Sequence, residues 1–221
     1  MDSTGLLLQF RSDMNDLAVP YLWSDEDVLA YADDAQKMFC RKTDGISDET
    51  TPEVVQLAVV PDADRLDLHP SILRIVSAVR TDTGRPVEVI NPSDMPKRGW
   101  YFDGNTGVLK ALVIGSQAHK ARLYPKAAET LTVELTVFRL PLLPIVDSEQ
   151  ALEIDEEHHR HLVLWMRHLG YLKADAETFD QGKADDFEAR FLRYCENVKA
   201  EQRRKDHKTR VVAYGGISIT N

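Results

Sequence analysis

Residues 152–205 read LEIDEEHHRHLVLWMRHLGYLKADAETFDQGKADDFEARFLRYCENVKAEQRRK and predict two helices joined by a short acidic turn. The first, expected from about Asp155 to Lys173, is apolar over a wide arc, so neighbours should flank it on several sides. The second, expected from about Ala184 to Arg204, has one apolar stripe and otherwise alternating charges. Because two such helices cannot enclose a core alone, this pair predicts further helices elsewhere in the chain.

The N-terminal residues supply two such helices. Apolar residues recur at helical spacing from Leu6 to Leu17, which predicts a helix over residues 5–17. Ser24 precedes three acids, the pattern of an N-cap with a negatively charged first turn, so a second helix is predicted from there to about Arg41. Because neither end of the chain has enough helical partners by itself, we expect both ends to pack into one bundle.

The sequence between the two ends changes to a β pattern. Residues 130–138, TLTVELTVF, alternate apolar and polar side chains, which predicts a strand with one solvated face. Similar short segments, separated by turns such as PDAD, TDTG and DGNTG, are found at 54–60, 72–80, 85–90, 107–114 and 121–124. Such spacing is typical of an antiparallel sandwich or small barrel. The predicted fold class is therefore α+β, a helical bundle formed by both chain ends with an inserted antiparallel β-sandwich or barrel segment.

Four parts of the chain follow from this pattern. We expect residues 1–52 to form the N-terminal helices of the bundle, residues 53–143 the inserted β domain, and residues 144–205 the C-terminal helices of the bundle. Residues 206–221, DHKTRVVAYGGISITN, are expected to form an extended C-terminal arm. A disordered end is the alternative, but the branched and aromatic residues favour a strand-forming arm that adds to the edge of a neighbour's sheet.

The charge of the chain is unevenly distributed. The net charge is −9, yet residues 1–60 carry twelve acids against four bases, and residues 199–210 carry six bases against two acids. A globally acidic chain is a poor general nucleic-acid binder, because contacts to phosphates need accumulated positive charge. The basic end and the acidic end could meet between subunits. The alternative is a solvated helix end, whose cations suit the helix macrodipole.

The composition is that of a folded chain, with 43% apolar and 29% charged residues. No run of eighteen apolar residues is present, so no transmembrane helix is predicted, and the N-terminus lacks the pattern of a signal peptide. Cys40 and Cys195 lie far apart, each within a helical pattern. We expect both to be reduced thiols of a cytosolic protein, buried as small apolar residues.

A histidine-rich stretch is the strongest candidate for chemistry. The residues concerned are His158, His161 and His168 near one helical stripe, with His159, Glu156 and Glu157 beside them. Imidazoles and carboxylates one turn apart can ligate zinc or a redox metal. However, EEHHRH is not HExxH, and no second helix carries the Glu-x-x-His of di-iron bundles. We expect no metal site, and a metal-dependent enzyme with a site near Glu157, His158 and His161 stays the alternative.

Other catalytic patterns are absent from the sequence. It has no GxGxxG after a strand, no GxxxxGK[ST] and no GxSxG, and Asp33 and Asp34 are placed on the solvated face of the second helix. We expect no catalytic residue, no cofactor and no enzyme. Trp100, Tyr101 and Phe102 are expected to cap the sheet. The alternative is that they form the sugar or peptide platform of a β-sandwich binding module.

Four segments carry a resemblance to a known family. They are YLWSDEDVLAYADDAQKMFCRKT (21–43), LDLHPSILRIVSAVRTDTGRPVEV (66–89), LTVELTVFRLPL (131–142) and LEIDEEHHRHLVLWMRHLGYLKADAETFD (152–180). In this order they resemble tailed-phage head-to-tail adaptor, or connector, proteins, and in particular the group called tail tubular protein A in short-tailed phages. The likeness lies in helix and strand patterns over nearly the whole chain.

The resemblance implies a structural protein of the virion neck, assembled in the host cytoplasm. It implies a homo-oligomer, expected to be a dodecameric ring beneath the portal protein, that joins the capsid to the tail or nozzle protein and lines the DNA exit channel. DNA would pass through without sequence-specific binding, and no membrane is involved. For contacts with the portal or a neighbouring subunit, we expect Arg203, Arg204, Lys205, Arg210, Tyr214 and Ile217.

Overall fold

Helices from both ends of the chain pack together in the computed structural model of the protein, which describes residues 1–102, 104–147, 149–174 and 178–206. The helices are α1 (Ser3–Met14), α2 (Asp25–Lys42), the one-turn α3 (Pro52–Val55), α4 (Glu156–Leu172) and α5 (Gln181–Asp206). α4 packs against α1, α2 and α5. The predicted α+β fold class, with helices at both chain ends and a sheet inserted between them in the sequence, is confirmed. Among these described helices, none is long and apolar enough to cross a membrane.

The predicted N-cap of α2 is present. The Ser24 hydroxyl accepts a hydrogen bond from the Asp27 backbone N–H (3.1 Å), and the Asp27 carboxylate accepts one from the Ser24 backbone N–H (3.4 Å). This capping box begins the helix at Asp25. Arg41 and Lys42 in the last turn complement the helix dipole. These local interactions explain why α2 begins and ends close to where the sequence predicts.

The prediction for α1 is wrong at its C-terminal end. The helix ends at Met14, because Asn15 adopts a left-handed conformation (φ 56°) and its N–H bonds back to the carbonyl of Ser12 (3.2 Å). Leu17, which the prediction included in the helix, is 67% exposed in the loop that follows.

One hydrophobic core fills the bundle. Its members include Leu6, Phe10, Trp23, Val28, Phe39, Leu162, Trp165, Met166 and Phe191. α1 approaches α4 closely at Gly170, where an added Cβ would lie 3.0 Å from the Phe10 ring. The Trp23 indole N–H donates to the Gly170 carbonyl (3.1 Å). The loop between α1 and α2 is therefore tied to the C-terminal part of α4.

The acidic pair of α2 corrects a prediction. Asp33 and Asp34 do not lie on a solvated face, because both face neighbouring segments. Asp34 accepts a hydrogen bond from the Trp165 indole of α4 (2.7 Å). Asp33 accepts one from the Ile145 backbone N–H (3.1 Å) and pairs with Lys37 (2.5 Å). The two carboxylates therefore hold α2 to α4 and to the connector that precedes α4.

A curled sheet lies between the helical ends of the chain. Its strands are β1 (Ile46–Asp48), β2 (Gln56–Val59), β3 (Arg65–Asp67), β4 (Ile72–Arg80), β5 (Pro86–Ile90), β6 (Thr106–Gly107), β7 (Ala111–Ile114), β8 (Lys120–Tyr124), β9 (Lys126–Ala127) and β10 (Leu131–Arg139). The order is β1-β10-β4-β5-β7-β8-β3, β2 also pairs with β10, and β6 and β9 form a separate pair. Most pairs are antiparallel as predicted, whereas β5–β7 and β6–β9 are parallel.

The strand predictions hold best for long segments. In β10 the alternation is confirmed, since Leu131, Val133, Leu135 and Val137 are buried. The sequence patterns miss β1, β3 and β9, which have only two or three residues each. The predicted strand at 54–60 is wrong over its first two residues, because they belong to α3, which begins at Pro52. Proline suits the first turn of a helix.

A buried arginine joins the sheet to the bundle. Arg139, the last residue of β10, pairs with Asp48 of β1 (2.5 Å) and with Glu153 of the connector before α4 (2.6 Å). Glu153 also accepts hydrogen bonds from the backbone N–H groups of Leu142 and Leu143 (2.6 and 2.9 Å). Chain segments that enter and leave the sheet therefore meet at one guanidinium.

The surroundings of Arg139 keep its partner Asp48 ionised and let residue 45 approach β10 closely. Burial alone would raise the pKa of Asp48, but hydrogen bonds from Thr50, Thr51 and Arg139 outweigh it and hold this pKa well below its usual range. Gly45 has φ +82°, and an added Cβ would lie 2.8 Å from the Arg139 carbonyl oxygen. A residue with a side chain at this position would be strained and would push β10 away.

Both cysteines are buried and free, as predicted. Cys40 lies on α2 and Cys195 on α5, and both belong to the core of the bundle. Burial raises the pKa of each thiol to about 12. Neither thiol is therefore suited to act as a nucleophile near neutral pH.

Replacing Arg139 is expected to destabilise the fold strongly. Arg139→Leu should lower the free energy of unfolding by about 3–5 kcal/mol, because it leaves Asp48 buried without its counter-ion. Urea denaturation followed by circular dichroism measures the change. Arg65→Leu is the matched control on another strand, where the side chain is 53% exposed, and it should cost less than about 1 kcal/mol. Equal losses in the two variants would contradict the importance of the junction.

Candidate functional site

A cleft opens beside Arg139 where the bundle meets the sheet. This junction cleft has a cavity volume of about 290 Å³. Six chain segments line it: Phe39 and Cys40 of α2, residues 45–47 around β1, Phe138 of β10, residues 153–155 before α4, His158 of α4 and Gln202 of α5. These segments belong to four stretches that are far apart in sequence (39–47, 138, 153–158 and 202), so only the fold brings them together, and no sequence motif marks the cleft.

One tyrosine holds two of the predicted histidines. His158 Nδ1 lies 2.8 Å from the Tyr194 hydroxyl of α5, and the His161 ring stacks on the Tyr194 ring with centroids 3.6 Å apart. Burial lowers the pKa of both imidazoles, and at His161 the nearby His158 and Arg160 add to this effect. Burial also raises the pKa of Tyr194 to about 12. These three groups therefore favour their uncharged forms.

The other two histidines lie elsewhere. His159 is buried and donates from Nε2 to the Ile154 carbonyl (2.8 Å). His168 is buried too and donates from Nδ1 to the Ala184 carbonyl (3.0 Å). The histidine stripe predicted from the sequence is therefore split, since two of its members anchor α4 to neighbouring backbone and two share Tyr194.

Two carboxylates flank His158 beside the junction cleft. Side-chain atoms of Asp155, Glu157 and His158 lie within 4.8 Å of one another, and His161 is not part of this group. Asp155 is the N-cap of α4, yet its side chain accepts no capping hydrogen bond. In the described part of the chain, no lysine or arginine pairs with Asp155 or Glu157. Uncompensated negative charge therefore lies beside the cleft, where it could attract a cation or a basic side chain. The metal enzyme with a Glu157, His158 and His161 site stays an untested alternative.

The aromatic cluster of residues 100–102 divides into two parts. Trp100 stacks on Tyr124 with centroids 5.0 Å apart and packs on a small apolar cluster of the sheet. Tyr101 and Phe102 are 63% and 39% exposed, and the Arg122 guanidinium lies 3.5 Å above the Phe102 ring. Trp100 covers the sheet as predicted. The platform of a binding module stays a prediction that concerns the two exposed rings.

The basic end of α5 is the only part of the predicted contact set that the structure describes. Arg203, Arg204 and Lys205 are exposed. None of the three forms an ion pair with another residue of the described ranges. Arg210, Tyr214 and Ile217 lie outside the described residues. The three exposed cations give the last described turn of α5 a net positive charge.

An exposed apolar loop lies at the opposite end of α4 from the junction cleft. The apolar loop, residues 15–24 between α1 and α2, exposes Leu17, Val19, Tyr21 and Leu22 by 43–80%. Lys173, just after α4, donates to the Leu22 carbonyl (3.1 Å) and so holds the loop at that end. Clustered apolar side chains of this kind are typical of surfaces that contact another protein.

A buried ion pair fixes the apolar loop. Arg11 pairs with Asp16 (2.7 Å), and their side chains are 4% and 3% exposed. Arg11 also pairs with Asp25 and lies 3.6 Å above the Tyr21 ring, and Asp16 accepts a hydrogen bond from the Leu22 N–H (2.9 Å). A loop held in this way is ordered before a partner arrives, which lowers the cost of binding. The sequence analysis missed this surface, although the apolar run VPYLW between two helices was a signal for it.

Comparison with known proteins identifies a family. The family model described as SU10 adaptor protein matches residues 1–213 of the chain. The match covers the helices of both chain ends and the whole sheet. A search of curated proteins finds no match. The match is to the SU10 adaptor protein family, so the likeness to tail tubular protein A stays a prediction.

Acidification is expected to destabilise the protein through His158 and His161. Because their pKa values are lower in the folded chain, the unfolded chain takes up protons first as the pH falls. Their stabilising contribution is complete above the unfolded pKa of about 6.5 and is lost as the pH falls below it. Urea titrations at about pH 7.5 and about pH 5.5, on either side of that pKa, should give a lower free energy of unfolding at the acidic pH.

Substitution of both histidines tests their share of this effect. The variant His158→Gln/His161→Gln should lose less stability than the wild type between the two pH values, since it has no imidazole to protonate at either position. His119→Asn, at an exposed turn before β8, is the control and should behave like the wild type. A double variant with an unchanged loss of stability would rule out these histidines as its source.

Proposed function

Because the chain belongs to the SU10 adaptor protein family, we propose that it is a head-to-tail adaptor of a tailed phage. The family match over residues 1–213 is the observation that carries this proposal. In this role the protein is a structural component of the virion neck, with the portal protein on one side and the tail or nozzle protein on the other. The role requires no catalytic step and no cofactor.

The proposed assembly is a homo-oligomeric ring of twelve subunits beneath the portal, formed in the host cytoplasm. DNA passes through its channel during genome ejection without sequence-specific contacts. The apolar loop supports subunit contacts, because it is exposed and held in place by the buried Arg11–Asp16 pair. The excess of acids in residues 1–60 supports a channel wall that repels phosphates and lets DNA slide.

Each part of the chain has a place in the proposed ring. Residues 1–52 and 144–205 form the ring wall, residues 53–143 project outward or towards the tail, and residues 206–221 reach along the portal or a neighbouring subunit. The ion pairs of Arg139 with Asp48 and Glu153 support this arrangement. A subunit that connects two large assemblies needs its bundle and its sheet held in a fixed relation, and a buried charge cluster supplies that.

The basic end of α5 and the residues after it make the proposed contacts with the portal or a neighbour. The six residues are Arg203, Arg204, Lys205, Arg210, Tyr214 and Ile217. Exposed charges steer association and set its register, and apolar side chains supply buried area. The exposure of the three described cations, and their lack of partners in the described ranges, support their assignment to an interface.

Mass photometry of the purified protein, alone and with the portal ring of its phage, tests the adaptor role. We expect the portal ring to gain about one adaptor chain per portal chain, as matching rotational symmetry requires. A ring of the isolated protein would agree with the same assembly. A protein that stays monomeric and leaves the mass of its cognate portal unchanged would contradict the proposal.

Truncation tests the contact residues. A chain that ends at Lys205 is expected to bind the portal ring at least about tenfold more weakly, because it lacks Arg210, Tyr214 and Ile217. A chain that ends at Ile219 lacks only two polar residues and serves as the matched control. Titration of each variant against a fixed amount of portal gives the apparent Kd. Equal apparent Kd values for the two truncated chains would show that Arg210, Tyr214 and Ile217 do not contribute to the interface.

A further inference from the structure

The described chain ends beside the junction cleft. Gln202 lines the cleft, and Asp206, the last described residue of α5, lies about one helical turn further on. Fifteen residues follow, with the sequence HKTRVVAYGGISITN. The two positions are about 6 Å apart along the helix axis at 1.5 Å per residue. Since an extended chain covers up to ~3.3 Å per residue, residues 208–214 can turn back and reach the cleft.

The charges beside the cleft and those of residues 208–210 are complementary. Asp155 and Glu157 stand beside the cleft without a lysine or arginine partner in the described ranges. Glu153, which also lines the cleft, already has an ion pair with Arg139. Lys208 and Arg210 are the first two cations beyond α5. Placed against the carboxylates of Asp155 and Glu157, they would supply positive charge beside them.

The cleft also offers an apolar floor and a free strand edge. Phe39, Ile46, Phe138 and Ile154 contribute apolar side chains to its lining. β1 pairs with β10 on one side, and no described strand pairs with its other edge at residues 46–48. Residues 211–214, VVAY, are rich in residues that favour strands. An extended segment commonly binds such an edge by adding a strand, with its side chains in neighbouring pockets.

We propose that residues 208–214 of the protein's own C-terminal end bind in the junction cleft when the protein is free. Lys208 and Arg210 pair with Asp155 and Glu157, and residues 211–214 add a strand to the edge of β1. This inference goes beyond the adaptor role and concerns the isolated protein. A residue of this segment can contact a portal only after leaving the cleft. Binding of the segment in the cleft therefore competes with binding of the same residues to the portal.

Hydrogen–deuterium exchange of the purified full-length protein, with EDTA and without portal, tests the proposal. Peptides that cover residues 45–49 should exchange at least about tenfold more slowly than in a chain that ends at Asp206, because the added strand protects the edge of β1. The truncated chain keeps every described residue of both large cores, which end at Val198. The protection should not change over a wide range of protein concentration, since the contact is within one chain.

A charge exchange tests the pairing of the two segments. A synthetic peptide of residues 207–221 should restore protection when it is added to the truncated chain. Asp155→Lys/Glu157→Lys should weaken peptide binding about three- to tenfold, as expected for two exposed ion pairs, and a peptide with Lys208→Glu/Arg210→Glu should restore it. Asp185→Lys/Asp186→Lys, exposed on the other half of α5, is the matched control and should leave binding unchanged.

Three results would overturn the inference. An exchange rate at residues 45–49 that is the same with and without residues 207–221 would show that this segment does not bind in the cleft. Protection that rises with protein concentration would assign the cleft to a second copy of the chain. Protection of the truncated chain by added zinc alone, lost with Asp155→Asn/Glu157→Gln, would assign the carboxylates to a metal. Since no portal is present, failure here is distinct from failure of the adaptor role.

Discussion

The ion pairs of Arg139 constrain the rest of the structure. One guanidinium holds Asp48, where the chain enters the sheet, and Glu153, where it returns to the bundle. Taking charges out of water is costly, so a buried pair of this kind adds little net stability compared with apolar packing. Its value lies in geometry, because the charges are satisfied in only one relative position of bundle and sheet. The junction cleft, the α5 terminus and the edge of β1 are all placed by that position.

The parts of the fold that depend on local interactions could be predicted from the sequence. Ser24 and Asp27 cap α2 through groups three residues apart, and along β10 buried side chains alternate with less buried ones. The prediction that the first helix extends to Leu17 is wrong, because the helical spacing of apolar residues continues past Asn15, where the chain turns. The prediction for Asp33 is wrong because one of its partners, the Ile145 N–H, belongs to a connector more than a hundred residues away. Periodicity reports which side of an element is apolar, and it does not identify polar neighbours.

The candidate sites were harder to predict than the fold. The histidines of α4 share one sequence stretch, but their partners lie on two different segments, Ile154 in the connector before α4 and Tyr194 and Ala184 on α5. Assembly surfaces are harder to recognise in a sequence than catalytic sites. They need only exposed apolar or basic residues at certain positions, and many different sequences meet that requirement. The family match and the exposed apolar loop therefore carry more of the functional argument than any single residue motif does.

The positions of the three tryptophans give the molecule separate optical labels for its two halves. Trp23 and Trp165 are buried in the bundle, and Trp100 stacks on Tyr124 in the sheet. Emission from the first two indoles reports on helix packing, and emission from the third reports on the sheet surface. Replacing Trp100 by phenylalanine would leave a fluorophore set confined to the bundle. The order in which the halves loosen under force or denaturant could then be followed by light alone, without an attached dye.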